Sequence, residues 1–143
     1  MFVSEILKRK GSSICSVTSE QPIAEALALM VQHRIGAVLV LDPTGRIAGI
    51  LSERDLVRAM NKNGKAVFDK RVGELMTTPV VTCSPGDPVG AIEGMMTAQR
   101  FRHVPVVEDG KVVGIVSIGD VVKHHVAEVE MEATAMREYI THS

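Results

Sequence analysis

The chain has 143 residues, of which 45% are hydrophobic and 23% are charged, and its formal net charge is -1. This composition is typical of a compact globular module, and with only 3% aromatic residues the core must be built from aliphatic side chains. The near-neutral charge argues against nucleic-acid binding, and the longest strongly apolar run, Ile35 to Leu41, is far shorter than the roughly 20 residues of a membrane-spanning helix. We therefore expect no nucleic-acid partner and no membrane partner.

The cysteines and the N-terminus indicate the compartment. Cys15 and Cys83 form no CxxC pair and no disulfide framework, so both are predicted to be free thiols. Residues 1–10 are rich in charge and lack the apolar run of a signal peptide, which predicts a cytoplasmic protein.

The predicted elements of the first half begin with a short strand at Ile14–Val17. A helix follows, with Pro22 suited to its first position, and then a buried strand at Ala37–Leu41. A turn of hairpin length leads to a partner strand at Arg46–Leu51. Ser52 then stands where a helix N-cap belongs, so the order is strand, helix, strand, strand, helix.

The second half predicts the same order of elements. Strands are expected at Val80–Cys83, Val104–Val107 and Lys111–Val116, Pro88 opens the intervening helix, and Ser117 caps the last one.

The two halves also match residue by residue. At an offset of 66, Met30 falls on Met96 and Arg34 on Arg100; after a turn that is one residue shorter in the second half, the offset becomes 65. Each half then carries G-I-x-S-x-x-D, ending at Asp55 and Asp120. Short leaders correspond as well, at an offset of 69. The self-similarity predicts one repeat over residues 1–66, a second over 67–126 and a tail over 127–143.

The shared motif suits the recognition of a phosphorylated nucleoside. A serine hydroxyl and free N–H groups at a helix N-terminus can hold phosphate oxygens, which assigns that role to Ser52 and Ser117. A carboxylate one turn later can accept hydrogen bonds from both ribose hydroxyls, which assigns that role to Asp55 and Asp120. The alternative is a capping arrangement with no ligand, because a serine followed three residues later by an acid also stabilises a helix start.

The motifs Gly49-Ile50-Leu51-Ser52-Glu53-Arg54-Asp55 and Gly114-Ile115-Val116-Ser117-Ile118-Gly119-Asp120 resemble those of CBS domains, and the resemblance covers the chain to about Val126. It implies an α+β fold in which two tandem β-α-β-β-α repeats form one disc-like module with pseudo-two-fold symmetry, also called a Bateman module. It further implies a regulatory protein that binds AMP, ADP, ATP or NAD(H), or an S-adenosyl compound, in clefts between the repeats, with no catalytic cofactor.

The resemblance also implies the other residues of each site. The base would contact the first strand of a repeat, around Ile14 to Ser16 and around Val80 to Thr82. Arg102 and His103 lie where related proteins place basic groups that reach the phosphates, whereas the first repeat has Gly36 and Ala37 there. Arg54 could supply charge to the first site, while the second repeat has Gly119 in its place, so the two sites are expected to differ. The alternative for Arg54, Arg58 and Arg102 is a solvated charge.

Other polar features receive simpler interpretations. His124 and His125 are expected at the end of the last repeat helix, complementing its dipole and binding no metal. The run Lys8 to Lys10 lacks interleaved aromatic residues and is interpreted as solvated.

The tail is predicted to be helical, and Val129, Ala133, Met136 and Ile140 are spaced to form one apolar stripe. The stripe and the resemblance together predict a homodimer. Three hypotheses stay open: a nucleotide sensor acting on an unidentified regulated protein, a ligand-free dimerisation module, and a small nucleotide-processing enzyme. We expect the sensor and no enzyme activity, because the sequence contains no catalytic motif.

Overall fold

The computed structural model describes residues 1–11 and 13–142, and within them helices alternate with short strands. In chain order the elements are α1 (Val3–Lys10), β1 (Ser16–Val17), α2 (Ile23–His33), β2 (Ala37–Leu41), β3 (Ile47–Ser52), α3 (Glu53–Asn63), a 3-10 helix (Gly64–Asp69), α4 (Val72–Leu75), α5 (Val89–Gln99), β4 (His103–Glu108), β5 (Lys111–Ser117) and α6 (Ile118–His142). The predicted α+β class with two repeats is confirmed.

The sheets repeat the same hairpin with matching register. β2 pairs antiparallel with β3, and β4 pairs antiparallel with β5. Val40 faces Gly49 in the first hairpin, Val106 faces Gly114 in the second, and the register shifts directly after each of these pairs. The hairpins predicted from the duplication are therefore present, each with the same irregularity.

The first strand of the two repeats differs from the prediction. In the first repeat only Ser16 and Val17 form a strand, parallel to β2. Val80–Cys83 is not a strand, and only Cys83 forms a bridge, to Val106. The reason is one missing hydrogen bond between the parallel strands. In the first repeat the N–H of Leu39 donates to the carbonyl of Cys15 at 3.3 Å. The corresponding residue of the second repeat is Pro105, which has no N–H to donate.

The helix starts also shift by one residue. Pro22 and Pro88 occupy the N-cap of α2 and α5, not the predicted first helical position. Their ψ angles of 151° and 139° are extended, so the helices begin at Ile23 and Val89.

Each repeat completes its core with the leader helix of the other repeat. Val3 and Ile6 of α1 pack in the cluster that contains Val104 and Val116 of the second repeat. Val72 of α4 packs in the cluster that contains Leu51 of the first repeat. This exchange joins the halves into one folding unit, because neither hydrophobic core is complete without residues from both repeats.

We expect Ile92→Ala, in the cluster of the second repeat, to lower the free energy of unfolding by about 2–5 kcal/mol, because it removes a side chain that is 1% exposed and leaves a cavity. Urea denaturation measures the effect. Val57→Ala is the control, since Val57 is 64% exposed and its truncation is expected to change stability by less than about 0.5 kcal/mol. Equal losses in the two variants would contradict this assignment of the core.

The last helix runs unbroken from the second motif to the end of the described chain. The predicted helical tail is thus part of α6, and His124 lies in mid-helix, not at a helix end as predicted. Beyond Val126, α6 exposes its apolar side chains, with Val129 at 64% and Met136 at 65%. Over residues 1–11 and 13–142, no helix is long and apolar enough to cross a membrane.

Candidate functional site

The first motif forms a capping box at the start of α3. The backbone N–H and the hydroxyl of Ser52 both donate to Asp55 Oδ2, at 2.9 and 3.0 Å, and the Asp55 N–H points back to Ser52 Oγ at 3.3 Å. Oδ1, the other carboxylate oxygen, accepts the hydroxyl of Thr77 at 2.9 Å. Thr77 is exposed, so a ligand hydroxyl could replace the Thr77 hydroxyl as the donor to Asp55 Oδ1.

The second motif repeats the box and adds an ion pair. The Ser117 N–H donates to Asp120 Oδ2 at 2.8 Å, and the Asp120 N–H donates to Ser117 Oγ at 3.1 Å. Lys10 Nζ, at the end of α1, donates to the same Oδ2 at 2.6 Å and to the carbonyl of Ile115 at 2.7 Å. Burial of the Asp120 carboxyl opposes its ionisation, but the hydrogen bonds from Lys10 and Ser117 outweigh it and hold its pKa below the usual value.

Both aspartates therefore contact a segment that leads into a predicted base-binding strand. Thr77 exchanges two backbone hydrogen bonds with Ile50, at 2.8 and 3.1 Å, and precedes half-buried Val80 and exposed Thr82. Lys10 likewise precedes Ile14, which is half-buried. These contacts place Thr77 at the motif of the first repeat and Lys10 at the motif of the second.

His103 lies at the junction of the two repeats. It begins β4, where it pairs with Ser117, and a Cβ atom added to Gly36 would lie 3.5 Å from its Cε1 and 3.6 Å from the Glu53 carboxyl group. Burial, followed by the nearby charge of Lys10, lowers the pKa of His103. A histidine so placed faces the first repeat from the second.

Three arginines line a cavity between the repeats. Arg54 of the first motif, Arg100 and Arg102 surround a space of about 540 Å³ together with apolar side chains such as Phe101 and Ile118. Arg54 Nη1 donates to the carbonyl of Arg100 at 2.9 Å. None of these arginines forms an ion pair with a carboxylate of the described chain, so the cavity carries uncompensated positive charge. Arg54 and Arg102, assigned to different sites from the sequence, thus line one cavity.

Three residues that contribute to the site are not among the site residues predicted from the sequence. In the sequence Arg100 is only a match to Arg34, and no pattern singles out Thr77. Lys10 was interpreted as solvated, which is wrong, because it pairs with an acid 110 residues away. The one signal available for Lys10 was its place within the basic run at the end of a leader helix.

The described residues contain no group of three or more His, Cys, Asp or Glu side chains placed to hold a metal ion.

Comparison with known proteins identifies the family. The CBS domain family matches residues 3–62 and 72–127. The chain therefore belongs to the CBS domain family, as a tandem pair of repeats.

Relatives of known structure share the whole module. A CBS-domain-containing protein from Agrobacterium tumefaciens is 43% identical, with a TM-score of 0.85 over 87% of this chain and 99% of that one. The CBS domain pair of protein MJ0100, whose crystal structure contains 5′-methylthioadenosine and S-adenosyl-L-methionine, is 28% identical, with a TM-score of 0.76 over 90% of this chain and 98% of that one. In sequence, the mitochondrial CBS domain-containing protein CBSX3 of Arabidopsis thaliana is 34% identical, over 96% of this chain and 71% of the relative. CBS pairs of this kind thus bind small adenosine-containing molecules in at least one solved case.

Proposed function

We propose that this protein is a regulatory sensor that binds AMP, ADP, ATP or NAD(H) in the clefts between its repeats. The observation that carries the proposal is the cavity of about 540 Å³ lined by three arginines, beside helix starts that each present a Ser-x-x-Asp motif. A cavity of this size lies within the range of about 300–1,000 Å³ that is usual for small-molecule sites.

The arginines supply the phosphate-binding part of the proposed site. Arg54 approaches from the first repeat, and Arg100 and Arg102 from the second. Guanidinium groups donate paired hydrogen bonds to phosphate oxygens, and such charge-assisted bonds are about twice as strong as neutral ones. His103, half-buried at the same junction, supplies one further donor.

The aspartates supply the ribose-binding part. Asp55 Oδ1 releases the Thr77 hydroxyl and accepts a ribose hydroxyl in its place, so one hydroxyl-to-carboxylate hydrogen bond replaces another. At Asp120, Lys10 and Ser117 both donate to Oδ2, so a ribose that binds both carboxylate oxygens must displace Lys10, which adds a cost that the first site does not have. We therefore propose that the two sites differ in affinity and that the first one fills at lower nucleotide concentration.

An S-adenosyl compound is the second candidate ligand, because the MJ0100 pair was crystallised with two ligands of that class. It would use the same aspartates and the same base-binding segments, but it has no phosphate for the three arginines to bind. Loss of binding on Arg102→Met therefore favours a nucleotide, and unchanged binding favours an S-adenosyl ligand.

The proposed sensor acts through a conformational change of a homodimer, which a regulated protein recognises. A ligand shifts the arrangement of the repeats only by its difference in affinity for the two arrangements. The proposed dimer contact is the exposed apolar face of α6 beyond Val126, covered by the same face of a second copy. A ligand-free dimerisation module would share this contact but would give no saturable nucleotide binding.

Cys15 provides a direct test of the base-binding segment. It is half-buried between Ile14 and Ser16, and we expect bound nucleotide to slow its labelling by a thiol reagent at least fivefold. Because Lys10, on the same segment, contacts the second motif, Asp120→Asn should remove this protection and Asp55→Asn should leave it. The labelling is followed by mass spectrometry.

Cys83 is the internal control for this experiment. Burial raises the pKa of its thiol to about 11, so at about pH 8 only roughly one Cys83 in a thousand is a thiolate. Cys83 is therefore expected to stay unlabelled with or without ligand. Protection of Cys15 that persists in Asp120→Asn would contradict the pairing of this segment with the second motif.

A further inference from the structure

A second, smaller cavity lies between α1 and α6 and shares no lining residue with the arginine-lined one. Its volume is about 170 Å³, and it is lined by Ile6, Arg9, Lys10, Asp120, Lys123 and His124. One water needs roughly 10–15 Å³ of such space, so the cavity has room for an ion the size of phosphate.

His124 is buried in the wall of this cavity without a hydrogen-bond partner. Its side chain is 2% exposed, and neither ring nitrogen has a partner in the described chain. The nearest acid is Glu128, whose Oε1 lies 3.7 Å from Nε2, too far for a hydrogen bond. A buried polar group left unpaired costs about 1–3 kcal/mol, so an acceptor entering the cavity would recover part of that free energy.

The charges around His124 favour an anion. Three cations, Arg9, Lys10 and Lys123, line the cavity with one carboxylate, that of Asp120. The Glu128 carboxylate, 3.7 Å from His124, is the second acid near the ring, so the cations still outnumber the acids. Lys10 is paired with Asp120, whereas Arg9 and Lys123 form no ion pair with the described residues.

The first repeat serves as an internal comparison. The positions that match Arg9, Lys10 and His124 are Thr78, Pro79 and Ala59, and only one cation, Arg58, matches Lys123. Ala59 is buried just as His124 is, so the fold needs only a buried small residue here and does not require an imidazole. The cationic cavity is a property of the second repeat alone.

We propose that the cavity between α1 and α6 is a separate binding site for a phosphate group, held by Arg9, Lys123 and a ring N–H of His124. An anion here also competes with Asp120 for Lys10, so its binding frees the Asp120 carboxylate. The inference does not depend on nucleotide binding in the arginine-lined cavity.

The test is an NMR titration of the full chain with its histidines labelled with nitrogen-15. One sample is titrated with inorganic phosphate and a separate sample with AMP, both at constant ionic strength. The His124 ring signal, identified by its loss in His124→Gln, is expected to shift and saturate. A shift with inorganic phosphate identifies a free anion as sufficient. A shift with AMP that adenosine does not give identifies the phosphate of a nucleotide. Both results support the site, and an equal shift with adenosine, which carries no phosphate, overturns it.

The double variant Arg9→Met, Lys123→Met is expected to weaken phosphate binding at least tenfold. Arg58→Met, the matched position of the first repeat, is expected to leave it unchanged. All three changed residues are exposed, so the variants should keep the fold, which circular dichroism checks. Three results would overturn the proposal. They are a His124 signal that does not saturate, an equal loss of phosphate binding in the double variant and in Arg58→Met, and a loss of phosphate binding in Arg54→Met, Arg102→Met with none in the double variant.

Discussion

Saturating adenine nucleotide is expected to raise the Tm of the full chain by several degrees. At a concentration about 100 times Kd, a ligand that binds only the native state adds about 2.7 kcal/mol, which is several degrees for a domain of this size. Thermal-shift titrations with AMP, ADP, ATP, NAD, NADH and S-adenosylmethionine measure the effect and identify the ligand.

Asp55→Asn and Asp120→Asn are expected to reduce that shift strongly. Each replaces a charged acceptor of ribose hydroxyls by a neutral one, and hydrogen bonds to charged groups are worth about 1.5–3 kcal/mol, roughly a tenfold to hundredfold change in Kd. Asparagine keeps a side-chain acceptor for the serine N–H, so the helix start is less disturbed than it would be by alanine.

Asp87→Asn is the matched control for these two variants. Asp87 Oδ2 accepts the N–H of Ser84 at 2.8 Å just before α5, the same local bond as in the motifs but outside both proposed clefts. The control should keep the full ligand shift. If no compound stabilises the native chain, the sensor proposal is wrong and the motifs act only as helix caps.

A charged pair on the exposed face of α6 is expected to convert the dimer into a monomer. Val129 and Met136 are 64% and 65% exposed in the single chain, and the proposed dimer contact buries both. The double variant Val129→Glu, Met136→Glu places two carboxylates in that contact. Burying unpaired carboxylates costs several kcal/mol each, enough to dissociate a micromolar dimer. Sedimentation equilibrium should then give the monomer mass of 15.4 kDa instead of twice that value.

Thr134→Glu, Thr141→Glu is the control for this change. It alters the charge by the same amount on another face of α6, and its mass should stay that of the dimer. A monomeric wild type would contradict the homodimer, and a monomeric control would show that net charge, not the apolar face, governs assembly.

The sequence predicted the fold largely because it is duplicated. Each half carries its own sequence pattern for the same strands and helices, so the two patterns support each other. The predicted bounds of β2 match those of the structure. The errors came from contacts across the chain. Nothing local to Val80–Cys83 reveals that Pro105 lies on the neighbouring strand β4, since a missing donor acts only on the strand beside it.

The site was predicted in the same uneven way. The serines and aspartates form the local boxes that their spacing indicated. Lys10 and Thr77 approach those aspartates from 110 and 22 residues away, and no pattern in one repeat specifies them. The positions where the halves differ, such as Lys10 against Pro79, are the ones that duplication could not predict.

The exchange of leader helices bears on how the chain is made. On the ribosome α1 is synthesised long before its partners Val104, Val116 and Val121, which are among the last residues of the module. At about 5–20 residues per second, Val3 waits roughly 6–24 seconds before its core is complete. An eight-residue helix is marginal on its own, so during that interval the start of the chain offers an unprotected apolar surface to chaperones and to other nascent chains.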